Sequence, residues 1–215
     1  MTVDSSQARR RAGGVFGLTV PRALDFGERA FVVVSFAFYL AANLHTQNVF
    51  NSVVALGELM TVAFVLLRRP SDNISLSPTD WTMAIVGTAG AMFARPFVHP
   101  LVGVAAPMLL WASGLALSIA AKVSLNVRFG LAPANRGVQA RGAYAFIRHP
   151  MYAGYILMGA SYFLMNPSPW NAAVYVIAWS AQFARVVREE RWLGRDPAYR
   201  AYAEAVRFRF IPFVV

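Results

Sequence analysis

The stretch LVGVAAPMLLWASGLALSIAA, residues 101–121, decides the class of fold. It contains no charged side chain, and a helix of about 20 apolar residues is long enough to cross the hydrocarbon core of a bilayer. The stretch ends at Lys122, and a basic residue at the end of an apolar run is typical of a membrane boundary. The sequence therefore predicts at least one transmembrane helix here.

The composition of the whole chain agrees with a membrane protein. Of its 215 residues, 57% are hydrophobic and only 14% are charged, which is too apolar for an ordinary soluble domain. The chain has no cysteine, so disulfides, zinc thiolate sites and cysteine nucleophiles are excluded. The net charge of +10 comes from nineteen arginines and one lysine that flank apolar runs. This arrangement favours a role in membrane topology, and we expect no nucleic-acid partner.

Other apolar runs lie on both sides of this stretch, at residues 30–44, 49–67, 81–94, 151–165 and 170–184. Together they predict an all-α, polytopic transmembrane protein with about six membrane helices, of which the last two form a short hairpin. We expect three regions within one membrane domain. They are a polar cytoplasmic N-terminal tail (1–25), four transmembrane helices (26–121), and a cofactor-binding connector with the hairpin and a cytosolic helical C-terminal segment (122–215).

The distribution of basic residues predicts the orientation. With the N-terminus in the cytoplasm, the opposite side receives only Arg95 among the basic residues, as the positive-inside rule requires. We therefore expect a multi-pass protein with both termini in the cytoplasm. The near absence of lysine is typical of a GC-rich bacterial genome, which makes a bacterial inner membrane the expected location.

Two pairs of small residues suggest close helix packing. Gly114 with Ser118, and Gly87 with Ala91, are each four residues apart, and small residues at this spacing let helices approach each other.

Polar residues concentrate at the ends of the last two apolar runs. Pro150 suits the first turn of a helix, so His149 is expected near a helix N-terminus, where free backbone N–H groups can bind an anion. If the last run continues as one helix, Arg185 and Glu189 share a face. The guanidinium of arginine suits a carboxylate, and glutamate accepts hydrogen bonds from hydroxyl or ammonium groups.

Each of these residues also has a purely structural interpretation. Arg185 and Glu189 could form a plain surface ion pair, which contributes little stability. Tyr144 and Tyr152 could be interfacial anchors. The sequence has no HExxH motif, Walker loop or GxGxxG motif, and we expect no metal. Spacing alone leaves both an enzyme and a structural membrane protein open, with the enzyme somewhat favoured.

Two motifs resemble those of a known family. GAYAFIRHPMYAG, residues 142–154, is similar to the signature of isoprenylcysteine carboxyl methyltransferases and of their phospholipid N-methyltransferase relatives. The second motif is Arg185 followed by Glu189-Glu190, then by Leu193-Gly194, Tyr199 and Tyr202, and FIPF at residues 210–213. The resemblance covers roughly residues 126–215.

The resemblance implies a helical membrane enzyme that uses S-adenosyl-L-methionine without a Rossmann domain. Its cofactor would lie in a cytosol-facing pocket, and its methyl acceptor would be a lipid-like or prenylated molecule in the bilayer. The residues implied to bind the cofactor are Arg136, Gly137, Val138, Gln139, Tyr144, His149, Pro150, Met151, Tyr152 and Glu189. The implied catalytic residues are Arg185 and Glu189, with Arg185 holding the substrate carboxylate near the methyl group.

The methyl acceptor remains open at this point. Methylation of a lipophilic carboxylate is the leading hypothesis, and N-methylation of a phospholipid amine or methylation of a small thiol is the second. A membrane scaffold without catalysis and a distantly related nicotinamide-dependent reductase are further alternatives.

Overall fold

The computed structural model describes residues 20–43, 49–68, 75–95, 101–125 and 137–210. Within these ranges the chain forms seven α-helices and no strand, which confirms the all-α prediction. They are α1 (Val20–Asn43), α2 (Val49–Leu67), α3 (Pro78–Ala89), α4 (Ala105–Leu125), α5 (Pro150–Met165), α6 (Pro169–Leu193) and α7 (Pro197–Ala205). Short 3₁₀ helices at Gly90–Phe93 and Gly142–Ala145 follow α3 and precede α5.

A proline defines the start of four of these helices. Pro78, Pro150, Pro169 and Pro197 each occupy the first turn, where the missing N–H would have no partner in any case. Two side chains add N-caps in front of these prolines. The hydroxyl of Ser168 accepts a hydrogen bond from the Asn171 N–H in α6, and the carboxylate of Asp196 accepts one from the Ala198 N–H in α7.

Helices α4 and α5 pack through direct backbone contact. A Cβ atom added to Gly154 would lie 2.6 Å from the carbonyl oxygen of Gly114, and one added to Gly114 would lie 2.7 Å from the carbonyl oxygen of Gly154. Ser118, one turn after Gly114, is buried against the same part of α5. The predicted small-residue pair Gly114 and Ser118 therefore lies at a close helix crossing.

Helices α3 and α6 form a second packed pair. Gly87 lies against Gln182, whose side-chain amide donates a 2.9 Å hydrogen bond to the Gly87 carbonyl. The hairpin between α5 and α6 is held by the fully buried Asn171. Its amide group donates to the carbonyls of Asn166 and Arg95 and accepts from the Arg95 N–H, which ties the turn to the end of the α3 segment.

Helices α1 and α2 are joined by buried charges. The Arg68 side chain donates hydrogen bonds to Glu28 and to Asp25, and all three residues are buried. Arg29 pairs with Asp25 at 2.9 Å on the same helix. Helix α1 begins at Val20, ten residues before the apolar run that predicted it and within the segment expected to be a tail. Pairing with Arg68 explains why the charged residues are helical rather than part of a solvated tail.

Among the described helices, α4 is the one that is both long and apolar enough to cross a membrane by itself. The number of six spans therefore stays a prediction. Helix α3 contains only 12 residues, in agreement with the short third apolar run. The fifth run corresponds to α5, and the sixth continues without a break through Arg185 to Leu193, so Arg185 and Glu189 do lie one turn apart on one helix.

We expect Gly154→Ala to destabilise the protein, because the new methyl group overlaps the Gly114 carbonyl and overpacking costs about 1–3 kcal/mol. Gly27→Ala is the matched control. It is also helical, but an added Cβ has no neighbour within 4 Å, so stability should rise by up to about 1 kcal/mol. Thermal unfolding of the detergent-solubilised full chain measures both. Equal unfolding temperatures for the two variants would contradict this prediction, because they would show that α4 and α5 can move apart at little cost in stability.

Candidate active site

The N-terminus of α5 lies beside a C-terminal strap, which we define as residues 206–210. The backbone N–H of Arg148 donates to the Phe208 carbonyl and that of His149 donates to the Arg209 carbonyl, each at 2.8 Å. The Arg148 guanidinium adds a 3.2 Å bond to the Arg207 carbonyl. Residues more than fifty positions apart in sequence therefore form one wall of the site.

The carboxylate of Glu190 joins this wall to α6. Its Oε1 lies 2.9 Å from Arg148 Nη1 and 3.1 Å from His149 Nε2, and its Oε2 accepts a 2.9 Å hydrogen bond from Arg209 Nε. Burial raises the pKa of Glu190, but the hydrogen bond and charge of His149, the charge of Arg148 and the Arg209 hydrogen bond together lower it below its ordinary value. Glu190 is thus ionised at neutral pH and holds three basic side chains together.

Tyr152, in the first turn of α5, brings the two candidate residues of α6 together. Its hydroxyl donates a 2.7 Å hydrogen bond to Glu189 Oε2, and Arg185 Cζ lies 5.0 Å from the centre of its ring. Arg185 is buried, with 4% of its surface exposed, and its Nη1 lies 3.4 Å from the Thr88 hydroxyl of α3. A guanidinium buried over an aromatic ring, one turn from a carboxylate, is a charged centre with very little access to water.

Aromatic rings surround His149. The imidazole lies 5.6 Å from the Tyr152 ring and 5.9 Å from the Phe210 ring of the strap, measured between centroids. Phe210 in turn stacks on Phe183 of α6 at 6.2 Å. The site therefore combines flat apolar faces with the carboxylates of the last turns of α6, beside the wall formed by the strap.

Tyr144 approaches the site from the connector. Its carbonyl accepts a 2.8 Å hydrogen bond from the Tyr202 hydroxyl of α7. Burial raises the pKa of Tyr144 well above its ordinary value, and the negative charge of Glu189 raises it further. Burial likewise raises the pKa of Tyr202 to about 12, so both phenols are protonated at neutral pH.

Five of the predicted residues meet through direct contacts or charge interactions: Tyr144, His149, Tyr152, Arg185 and Glu189. Pro150 and Met151 are buried at the start of α5, where they contribute packing. Arg136 lies outside the described residues.

The connector residues next to Arg136 face α4 and the core in the structure. Gln139 donates its amide hydrogen to the Ser124 carbonyl of α4, and Val138 packs against the hydrophobic core. Gly137 has a φ of +91°, a conformation that favours glycine. Their predicted contacts with a cofactor stay predictions.

The sequence interpretation gave no role to several residues that shape the site. Glu190 appeared only as part of a motif, and Arg209, Phe183 and Thr88 did not appear as site residues. One sequence feature could have pointed to these residues, namely the pair of carboxylates at the end of an apolar helix. Carboxylates that are buried in a folded protein need cationic partners. No group of three or more potential metal ligands occurs in the ranges that the structure describes.

We expect Glu190→Gln to be less stable than the wild type at pH 7, and the difference should shrink on acidification. The folded-state pKa of Glu190 is lowered, so its stabilising contribution is complete above its ordinary pKa and is lost as the pH falls through the folded value. Unfolding midpoints measured from neutral to acidic pH test this. Glu204→Gln, at an exposed position of α7, is the control, and an equal pH response in both variants would contradict the role of Glu190.

Residues 101–199 match the family described as phospholipid methyltransferase, which includes isoprenylcysteine carboxyl methyltransferases. The match spans α4, the connector, α5 and α6 and ends within α7. No sequence among curated proteins matches the chain. Members of the family are membrane methyltransferases that generally use S-adenosylmethionine. The part of the chain that resembles the phospholipid methyltransferase family is therefore the part that carries the contacts of Tyr152, Arg185 and Glu189.

Proposed function

We propose that the chain is an integral membrane enzyme that transfers a methyl group from S-adenosylmethionine to the carboxylate of a lipophilic acceptor. The observation that carries this proposal is the buried guanidinium of Arg185, which stacks on Tyr152 one helical turn from Glu189. A guanidinium presents planar, paired N–H donors that match a carboxylate, and such contacts are stronger away from water.

The side chains of the site fit S-adenosylmethionine. The Glu189 carboxylate can accept hydrogen bonds from ribose hydroxyls, and the rings of Phe210 and His149 offer flat faces for an adenine. The buried Nε of Arg148 has no hydrogen-bond partner within the described ranges, which leaves one donor for an anionic group such as a carboxylate.

The residues of the chain would contribute mainly by positioning. When bound, the cofactor supplies a methyl group on a sulfonium, and sulfur keeps the electron pair of the broken bond while the acceptor oxygen forms the new one. Arg185 presents two parallel N–H groups to a carboxylate and would orient one of its oxygens towards that methyl group. Because the nucleophile is already ionised, no residue has to remove a proton, and holding the two reactants in line supplies much of the acceleration.

A phospholipid amine is the second candidate acceptor. The family description names phospholipids, and the Glu189 carboxylate lies next to Tyr152, where it could bind an ammonium group. In this case Glu189 would attract the acceptor, and the amine would have to lose a proton before it could react.

We further propose a multi-pass topology with both termini in the cytoplasm, in a bacterial inner membrane. The long apolar helix α4 and the family support a membrane location. Lys122, Arg148 and Arg185 lie at the ends of α4, α5 and α6 that the positive-inside rule assigns to the cytoplasm. The site would then receive its cofactor from water and its acceptor from lipid.

We expect Arg185→Ala to lower kcat/KM for a farnesylcysteine acceptor by roughly 30-fold or more, because losing one partner of a buried charge pair costs about 2–5 kcal/mol. The affinity for S-adenosylmethionine, measured by calorimetry, should stay near the wild-type value. Arg191→Ala, at an exposed position on the same helix, is the control and should change neither quantity. Equal losses of acceptor and cofactor affinity in Arg185→Ala would contradict the carboxylate role.

The pH dependence of turnover distinguishes the two acceptors. A carboxylate is ionised above about pH 5, so its methylation should be nearly independent of pH from about 6 to 9. An aliphatic amine has a pKa near 10, so its reactive neutral form increases about tenfold with each pH unit in that range. Radiolabelled methyl transfer into a membrane lipid extract, followed by identification of the product, measures this. A tenfold rise per unit would overturn the carboxylate proposal and favour the amine.

A further inference from the structure

Helix α3 lies against α6 with small residues at the contact. A Cβ atom added to Gly87 would lie 3.1 Å from Cγ of Gln182, and one added to Gly90, just after α3, would lie 3.3 Å from Cβ of Ala178. The 2.9 Å hydrogen bond from the Gln182 amide to the Gly87 carbonyl belongs to the same contact. The C-terminal part of α3 therefore has a closely defined position relative to α6.

The start of α3 is attached to the last turns of α6 by a charged contact. The Arg188 guanidinium pairs with the Asp80 carboxylate and donates a 3.1 Å hydrogen bond to the Ser77 hydroxyl. The Ser75 hydroxyl donates to the other oxygen of Asp80, so this carboxylate is held from two sides. Because both ends of α3 are attached to α6, the residues between them have little freedom to shift along it.

Thr88 is the residue of α3 that contacts the candidate active site. It directly follows Gly87, and its hydroxyl accepts a 3.4 Å hydrogen bond from Nη1 of Arg185. The Arg185 guanidinium also lies over the Tyr152 ring, 5.0 Å from its centre. An aromatic face restrains the height of a cation above it but hardly the direction of its N–H groups, whereas a hydrogen bond restrains that direction.

Thr88 and Arg185 differ in their exposure. Arg185 has 4% of its surface exposed, whereas Thr88 is an exposed residue of α3. A substitution that keeps the shape of an exposed side chain has little effect on stability. Removing the hydroxyl of Thr88 in this way therefore removes its hydrogen bond to Arg185 while the core stays packed.

Helix α3 lies before residues 101–199, the segment that matches the phospholipid methyltransferase family. The hydrogen bond between Thr88 and Arg185 thus connects the matched segment to a helix that the match does not cover.

We infer that Thr88 is a positioning residue for Arg185. Its hydroxyl sets the direction of the guanidinium, and with it the preference of the site for an acidic acceptor over a neutral one. The inference rests on the carboxylate methylation proposed above, in which Arg185 holds the acceptor through two parallel N–H groups. Because two parallel bonds require one orientation of the guanidinium, loss of the Thr88 contact weakens the binding of the carboxylate and leaves the binding of the apolar chain intact.

The test compares the binding of farnesylcysteine and of its methyl ester to the full chain in detergent, measured by calorimetry. The ester has the same prenyl chain but no negative charge. We expect the wild type to prefer the acid. Thr88→Val keeps the shape of the side chain without its hydroxyl and should reduce this preference about fivefold, the effect of one hydrogen bond of ordinary strength. An unchanged preference in Thr88→Val would overturn the inference.

Two further variants separate the hydroxyl from the shape of the side chain and from its helix. Thr88→Ser keeps the hydroxyl and should retain most of the preference, so a loss equal to that in Thr88→Val would overturn the inference. Thr82→Val is the matched control, because Thr82 is also exposed on α3 but its hydroxyl donates to the Pro78 carbonyl of its own helix at 3.0 Å. An equal loss of preference in Thr82→Val would indicate a general effect on α3 and contradict the role of Thr88.

Thermal unfolding of the same variants distinguishes positioning from a structural role. Thr88→Val should unfold at nearly the wild-type temperature. A clearly lower temperature, together with an equal loss of affinity for the acid and the ester, would assign Thr88 a structural role and overturn the inference.

A double variant tests whether Thr88 acts through Arg185. In that case Thr88→Val should have no further effect when Arg185→Ala is already present, because the group that it positions is gone. A further fivefold loss in the double variant would show that Thr88 contacts the acceptor itself and would overturn the positioning role. Affinity for S-adenosylmethionine should be unchanged in Thr88→Val, and a matching loss would connect Thr88 with the cofactor instead.

Methyl transfer to farnesylcysteine is measured on the same preparations, so that the two proposals fail separately. A preference for the acid that depends on Thr88, without methyl transfer, would contradict the proposed function and leave the positioning role standing. Methyl transfer with the same rate and the same acid preference in the wild type and in Thr88→Val would do the opposite. Equal binding of the acid and the ester by the wild type would contradict both.

Discussion

The backbone contact between α4 and α5 at Gly114 and Gly154 is the constraint on which the other features of this protein depend. Because neither position leaves room for a Cβ atom, the first turns of α5 have essentially one depth and rotation relative to α4. That geometry sets where Tyr152 and Tyr155 lie. It thereby also sets the positions of the cations above their rings, Arg185 over Tyr152 and Lys122 over Tyr155. The hydrogen bond between Tyr152 and Glu189 then fixes the position of α6 relative to α5.

The charged residues in the last turns of α6 hold that helix against three neighbours, which are α3, α5 and the strap. Arg188 pairs with Asp80 and bonds to Ser77 at the start of α3, and Arg185 stacks on Tyr152 of α5. Glu190 gathers the basic side chains beside the strap. A helix end with neighbours on several sides has little freedom to rotate, so Arg185 and Glu189 keep fixed positions beside Tyr152.

Local sequence signals predicted the parts of the fold that depend on local physics. Pro150 begins its helix where expected, and the four-residue spacing of Arg185 and Glu189 placed them on one face. Features that depend on contacts between residues far apart in the sequence could not be predicted. Asp25 and Glu28 lie before the first apolar run, yet they are helical and buried because Arg68, about forty residues later, pairs with them. Glu190 likewise gains its role from Arg148 and Arg209, which no periodicity connects to it.

The pairing of the strap with the loop before α5 has a consequence for the order in which the protein matures. Helices α4, α5 and α6 all precede the strap in the chain and are therefore synthesised before it. The wall beside His149 forms only after residues 208–210 have left the ribosome, because the Phe208 and Arg209 carbonyls and the Phe210 ring supply it. Until then, the backbone N–H groups of Arg148 and His149 lack the carbonyls that they bond to in the folded protein.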